Sequence, residues 1–310
     1  MWFVSYNKAE PIIMRQNTLT ILSFGGGQDS TAILYKLIYD KKFRKKYAPN
    51  DLMVVMADTG NEHLETYFHV AEIEKLCLRH AIKFMFIAQG SKHFPKSWRD
   101  GLLSFYRAGN RVGSKCFPKT CTDNLKIKPI YNFVEEHVHK TYGTEKVGRK
   151  RAIREFANKY GKIDVLIGIA RNEEKRVGKN EDSPHAWMRD CINKVYPLID
   201  LGMNRQDCQD YIKSVGHEVP LPSNCILCPF MSEQELLYLS IVDPESFNDW
   251  VEIEANKIKA NKHVENNMGV WGKKLLPEKL EEAKKKYGHM TLEDLREYKM
   301  SHGHCVKSKF

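Results

Sequence analysis

The feature that most constrains this chain is a rhythm in its first half: short apolar runs recur, and longer stretches with helical spacing separate them. Thr18–Phe24 (TLTILSF) is β-branched and apolar, and three glycines end it. From Asp29 to about Tyr47, Ile33, Leu34, Leu37, Ile38 and Tyr39 fall close to the spacing that gathers apolar groups on one helix face. Leu52–Ala57 (LMVVMA) is apolar throughout, as a parallel strand buried on both faces must be. Glu62 to His80 returns to helical periodicity, and Lys83–Ala88 (KFMFIA) reads as a third strand. After a Gly-, Ser- and Arg-rich stretch from Gly90 to Ser114, Thr122–His139 reads as a helix and Asp164–Ala170 (DVLIGIA) as a fourth strand. Strand, helix, strand, helix, strand implies right-handed crossovers, hence an α/β fold with a mainly parallel sheet and helices on both faces.

Beyond Pro197 the rhythm stops. Arg205–Val215 reads as a short helix, and a proline-punctuated stretch, Pro220-Leu221-Pro222-Ser223-Asn224-Cys225, follows it. From Ser232 the chain is helical and charged, with a break expected around Asn266–Gly272 and no internal repeat. The expected division is a nucleotide-binding domain over 1–230, carrying the cysteines discussed below, and a helical C-terminal extension over 231–310.

The sharpest local signal is Ser23-Phe24-Gly25-Gly26-Gly27-Gln28-Asp29-Ser30, between the first strand and the first helix. Glycines let the backbone turn tightly and approach an anion without Cβ obstruction. The unpaired N–H groups at the start of the next helix, with its dipole, then suit a phosphate. Ser30 adds a hydroxyl, and Asp29 stands where a carboxylate holds magnesium beside phosphates. The bland alternative is a glycine-rich turn with no ligand. It is not a Walker loop, since no GKS or GKT follows and the glycines stand too close together.

On these residues the chain resembles the PP-loop (adenine-nucleotide α-hydrolase) superfamily, whose loop usually reads SGGxDS and which splits ATP between its α and β phosphates. Gly25 stands where that pattern has its first serine. Three further segments are similar to the phosphoadenosine phosphosulfate (PAPS) reductase-like branch: Asp58-Thr59-Gly60 after the second strand, Gly168-Ile169-Ala170-Arg171 through Arg176 after the fourth, and Tyr196-Pro197-Leu198-Ile199-Asp200. The resemblance implies a Rossmann-like PP-loop fold from about Leu19 to Phe230. It implies nucleotide contacts from Ser23, Gly25, Gly26, Gly27, Asp29, Ser30, Asp58, Thr59, Gly168, Arg171 and Arg176. Asp29, Ser30 and Arg171 are the residues expected to act on ATP–Mg²⁺. Arg171 and Arg176 suit phosphate or sulfate, which a guanidinium grips through parallel hydrogen bonds.

The eight cysteines point the same way. Cys225-Ile226-Leu227-Cys228-Pro229 can offer two thiolates to one metal centre from a tight turn, with the following proline common beside iron–sulfur ligands. Cys121 (in KTCTDNLKIKP) and Cys208 (in NRQDCQDYI) stand in contexts similar to the iron–sulfur subgroup of that branch, which includes Dnd-type DNA phosphorothioation enzymes and phage proteins. That resemblance implies the ligand set Cys121, Cys208, Cys225 and Cys228 around a [4Fe–4S] cluster; four-cysteine Zn²⁺ is the alternative, and Cys116 could replace Cys121. Cys77 falls on an apolar helix face and reads as core, Cys191 has no motif around it, and Cys305 lies in a histidine-flanked tail.

Charge bears on partners. The chain carries +10, and from Lys140 to Lys179 there are twelve Lys and Arg against five Asp and Glu. Either nucleic acid meets this surface, with Arg149, Lys150, Arg151 and Arg154 on its backbone, or it is a solvated lysine-rich face. No apolar run approaches a membrane span and the start lacks a signal-peptide layout, so a cytoplasmic protein is expected. The resulting expectation is an ATP-dependent iron–sulfur sulfurtransferase acting on nucleic acid or its components, served by a sulfur donor. The alternatives are a reductase releasing sulfite from adenylyl sulfate or PAPS, with Cys305 as its thiol, and a nucleotide-sensing partner of a DNA-binding protein.

Overall fold

A computed structural model describes residues 18–302 apart from 99, 119 and 180. Its elements are β1 (Leu19–Ser23), α1 (Gln28–Tyr39), α2 (Lys41–Tyr47), β2 (Asp51–Ala57), α3 (Leu64–Arg79), β3 (Lys83–Ile87) and α4 (Leu102–Gly109). A π-helical turn over Thr122–Ile127 leads into α5 (Lys128–Tyr142), then come α6 (Arg151–Tyr160) and β4 (Ile163–Ile167). A 3₁₀ turn (Arg171–Arg176) precedes α7 (Ala186–Cys191), β5 (Ile192–Val195), α8 (Pro197–Asp200) and α9 (Arg205–Ser214). Four more helices follow: α10 (Glu233–Val242), α11 (Pro244–Ala260), α12 (Leu276–Tyr287) and α13 (Leu292–Ser301).

The five strands form one sheet in the order β3-β2-β1-β4-β5, and every neighbouring pair is parallel. The α/β class and the four strands read from the sequence stand. β5 escaped that reading because Ile192-Asn193-Lys194-Val195 is short and half polar at the sheet edge. Alternate side chains of the strands divide between two cores. Leu22, Val54 and Met56 pack under α1, α2, α3 and α9, while Ile21, Met53 and Val55 pack against α5, α6 and α7. The chain order reverses between β1 and β4, where Ser23 and Ile167 are register partners. At such a switch point the two connecting loops part and leave a crevice at the carboxyl edge.

A third core lies beyond that edge. Phe94, Trp98, Leu102 and Tyr106, from the stretch after β3, pack with Leu227 and Met231 beside the Cys225–Cys228 turn and with Phe247, Trp250 and Leu276 of the C-terminal helices. Glu254 of α11 ties this core together: 1% exposed, it accepts hydrogen bonds from the backbone N–H groups of Val270 (2.7 Å) and Leu276 (2.6 Å). Glu254→Ala should lower the urea-unfolding free energy by about 2–4 kcal/mol, since two buried donors lose their partner. Glu254→Gln, which keeps an acceptor, should cost less; a midpoint unchanged in both variants would remove this staple from the fold.

Candidate nucleotide and cysteine sites

The glycine loop owes its shape to close backbone packing. Gly26 has φ +75°, and a Cβ there would lie 2.9 Å from Thr66 Cγ2. A Cβ on Gly27 would lie 2.6 Å from the backbone nitrogen of Ser223, and one on Gly168 would lie 2.7 Å from that of Ser30. The proline-punctuated stretch and the loop after β4 therefore press directly on the start of α1. Ser30 closes the loop on itself: its Oγ accepts from Gly25 N–H (3.2 Å) and donates to the Gly27 carbonyl (3.2 Å). Between these segments a cavity of about 260 Å³ opens, lined on its polar side by Ser23, Gly25, Gly27, Asp29, Ser30, Gly168, Arg176, Arg205 and Lys126. Ile127, Ile130, Tyr131, Met188 and Tyr196 form its apolar side.

Asp29 is buried, and its two oxygens differ. Oδ2 lies 3.6 Å from Arg205 Nη2, whereas Oδ1 has no hydrogen-bond partner. Burial raises the Asp29 carboxyl above the usual range; Arg205 opposes that shift and Glu173 adds to it. Arg205 also meets Glu173 at 3.0 Å, and Glu173 meets Arg176 at 2.5 Å, so acids and bases alternate along one wall. Arg205 is fixed locally because Asn204 and Asp207 form a capping box at the start of α9. Neither Arg205 nor Glu173 stood out in the sequence; an arginine at the first turn of an amphipathic helix reads as solvated unless its neighbours are known.

Four residues implied by the resemblance do not line this cavity. Arg171 is exposed, with its backbone N–H bonded to the Met203 carbonyl (2.8 Å). Asp58 accepts from Gly60 N–H and Tyr67 O–H, both at 2.9 Å. Thr59 donates to Glu62 Oε1 (3.1 Å) and stands 3.4 Å from Cys225 Sγ. Gly26 turns away from the cavity toward Thr66, Met56 and Val70.

Thr59 belongs to a second region, around Cys225. Cys225 bridges to Glu62 as an isolated β pair, and Ile226 N–H donates to the Asn61 carbonyl at 2.7 Å. Cys121 immediately precedes the π turn. Cys121, Cys225 and Cys228 all bear on Tyr106, whose phenol is pushed up first by burial and then by those three thiols. Cys208 stands apart. It is fully buried in the core beneath α1 with Ile33, Leu34 and Ile212, and the charged groups acting on it are Asp29, Arg205, Asp207 and Lys36. Cys208 thus packs α9 against the sheet, and it is not among the three thiols that act on Tyr106. Cys77 is core, its thiol pushed by burial up to about 12, Cys191 is buried, and Cys116 is exposed. Cys305 lies outside the described residues. Among the described residues no three His, Cys, Asp or Glu side chains are gathered to hold one metal ion.

Glu62 links the two sites. Its side chain is 0% exposed, Oε1 lies 3.0 Å from Lys126 Nζ, and Oε2 has no hydrogen-bond partner. Burial opposes its charge, but Lys126, followed by Thr59, outweighs it and holds the carboxyl below the usual range. The C-terminal helices reach the loop as well. Gln28 donates to the carbonyls of Pro220 (3.1 Å) and Met300 (3.2 Å), while Gln209 donates to Gln28 Oε1 (3.1 Å) and to the Met300 carbonyl (3.0 Å).

No protein family and no curated protein matches the chain. Among solved structures it is similar to the U34-tRNA thiolase NcsA from Methanococcus maripaludis, determined with its [4Fe-4S] cluster: TM-score 0.37 and 14% identity over 89% of this chain and 75% of that one. A likeness of that size carries no argument about chemistry. No described helix is long and apolar enough to cross a membrane.

If this cavity holds a magnesium nucleotide, Asp29→Ala should weaken ATP–Mg²⁺ binding by about ten- to a hundredfold, the effect of one charge-assisted contact of roughly 1.5–3 kcal/mol. Ser30→Ala should weaken it less, because that hydroxyl already serves the loop. Calorimetric titration giving wild-type affinity for both variants would exclude the cavity as the nucleotide site.

Proposed function

We propose that this protein is an ATP-dependent, iron–sulfur sulfurtransferase of the PP-loop type, acting on nucleic acid or its components. The observation that carries the reading is adjacency. The turn Thr122–Ile127 lends Thr122, Lys126 and Ile127 to the nucleotide cavity and begins directly after Cys121 of the cysteine cluster. Activation by nucleotide and delivery of sulfur would therefore share one wall.

The residues divide the work. Backbone N–H groups at the start of α1 hold the phosphates. The unpartnered Asp29 Oδ1 is free to ligate magnesium, while Arg205 keeps the carboxylate's other oxygen in place. Arg176, Arg205 and Lys126 offset the charge of the phosphate chain. An acceptor oxygen attacks the α-phosphorus, the bond to the β-phosphate oxygen breaks, and pyrophosphate leaves. A sulfide-level donor then attacks the atom that bears the activated oxygen, and AMP departs carrying that oxygen. Preorganised charge at the phosphates, where negative charge develops, is the main catalytic contribution expected of such a site.

Cys121, Cys225 and Cys228 suit an iron–sulfur cluster better than a single zinc. All three act electrostatically on the Tyr106 phenol, and among the described residues no three such side chains are gathered to hold one ion. Cys121, Cys225 and Cys228 would hold such a cluster through their thiolates, and it would supply iron–sulfur chemistry suited to carrying sulfur beside the nucleotide cavity. Protein purified without air should carry about four irons and four sulfides per chain. Cys→Ser at 121, 225 or 228 should abolish the centre, whereas Cys208→Ser should keep it and lose stability. Zinc in place of iron, or loss of the cluster in Cys208→Ser, would overturn this assignment. AMP and pyrophosphate formation that requires the acceptor, with thiolated nucleoside detected by mass spectrometry, would establish the reaction.

The nucleic-acid acceptor rests on charge. Arg149, Arg151 and Arg154 are exposed in the basic segment. Lys150 differs, since its ammonium donates to the Tyr131 carbonyl (2.9 Å) and Asn132 Oδ1 (2.6 Å) and burial lowers its pKa to about 8. Reversing the three arginines should flatten the salt dependence of duplex binding by up to about 0.9 log–log units per lost phosphate contact. Reversal without effect would point to a small-molecule acceptor.

One observation favours the reductase as a second reading: the Met300 carbonyl, five positions before Cys305, is bonded to Gln28 of the phosphate loop. Thioredoxin-dependent sulfite release from adenylyl sulfate or PAPS is the result that only this alternative yields.

A further inference from the structure

The π turn over Thr122–Ile127 has a wider bore than an α-helix, and single π turns concentrate at functional positions. Here it turns Thr122, Lys126 and Ile127 to the nucleotide cavity while Asp123 and Leu125 stay buried. Lys126 therefore sits on a boundary. Its side chain is 26% exposed and lines the cavity, and its ammonium lies 3.0 Å from Glu62, which is 0% exposed.

Glu62 cannot follow Lys126 elsewhere. Its backbone is pinned by the bridge to Cys225 and by the Ile226–Asn61 hydrogen bond. Its Oε1 accepts from Thr59 and lies 3.8 Å from Cys225 Sγ, and its Oε2 has no hydrogen-bond partner. A buried carboxylate depends on its counter-ion far more than an exposed one does. Arg176 and Arg205, the guanidinium groups of the same cavity, each already face a carboxylate within the loop wall. Lys126 faces one that belongs to the cysteine cluster instead.

We propose that Lys126 is a coupling residue shared between the two sites: counter-ion to Glu62 while the cavity lacks nucleotide, and phosphate ligand once nucleotide enters. This deepens the reading of the cavity as a nucleotide site and rests on it. Nucleotide binding would then draw Lys126 from Glu62 and leave a buried negative charge beside Cys225. Anything that removes the charge of Glu62 must, by reciprocity, strengthen nucleotide binding. The sign of that effect separates coupling from a structural ion pair.

The test is a double-mutant cycle on ATP–Mg²⁺ affinity by calorimetry, with adenosine as a phosphate-free control. Lys126→Met should weaken ATP–Mg²⁺ by about ten- to a hundredfold, as loss of a charged phosphate contact does, and leave adenosine unchanged. Glu62→Gln, nearly isosteric, should tighten ATP–Mg²⁺ by about three- to tenfold, within the range of ordinary coupling energies. In the double variant that gain should vanish, leaving the affinity of Lys126→Met alone. Lys126→Arg keeps the charge and should stay within about threefold of wild type. If Glu62→Gln fails to fold, the contrast between ATP and adenosine in Lys126→Met still decides, because a structural role would lower both. Glu62→Gln that binds ATP no better than wild type, or Lys126→Met that loses adenosine equally, overturns the proposal. Wild-type protein that ignores ATP–Mg²⁺ would instead sink the nucleotide reading itself, whereas a weakened Asp29→Ala beside a neutral Glu62→Gln would sink this inference alone.

Discussion

How closely backbone can approach backbone at the carboxyl edge of β1 and β4 governs the rest of the molecule. Gly27 admits the Ser223 nitrogen and Gly168 admits the start of α1, at separations where a single methyl would collide. That closeness brings together segments about 200 and 140 positions apart in sequence, and the cavity exists because they meet there. An alanine at either glycine would displace backbone, not a flexible side chain, so little of the strain could relax. The register of β1 against β4 sets Ser23 beside Ile167 and fixes where the crevice opens.

Around this frame the charged groups are distributed with economy. Asp29, Arg205, Glu173 and Arg176 alternate in sign, so each buried charge faces an opposite one, as burial requires. Among the described residues, two buried carboxylate oxygens have no hydrogen-bond partner, Asp29 Oδ1 and Glu62 Oε2. One belongs to the glycine loop at the start of α1 and the other to Glu62, which stands against Cys225. Unpartnered buried acceptors cost stability, which is why they concentrate where a ligand completes them.

The C-terminal helices are part of this arrangement. They supply Phe247, Trp250 and Leu276 to the core that holds Tyr106 and the Cys225–Cys228 turn, and the end of α13 is bonded to the loop through Gln28. Lys299, 3% exposed on the same helix, meets His63 at 3.0 Å just ahead of α3. The segment that resembled nothing recognisable in sequence thus closes the side of the site that the sheet leaves open.

What the sequence by itself determined is local and periodic. Continuous apolar runs gave β1 to β4, the glycine cluster gave the tight loop between β1 and α1, and Asp29 was visible because it stands at a helix start. β5 was lost because four residues with two polar members carry too little pattern. Tertiary structure decided everything that depends on which helix packs where. It buried Cys208 beneath α1, although the resemblance implied that it shares a centre with Cys225. It turned Arg205 and Lys126 into the cavity, left Arg171 on the surface, and set Thr59 and Glu62 against the cysteines. The reason is physical. Periodicity and turn chemistry are fixed by neighbours a few residues away, whereas the partner of a charge or a thiol is fixed by crossovers tens to hundreds of residues long, which sequence spacing does not record.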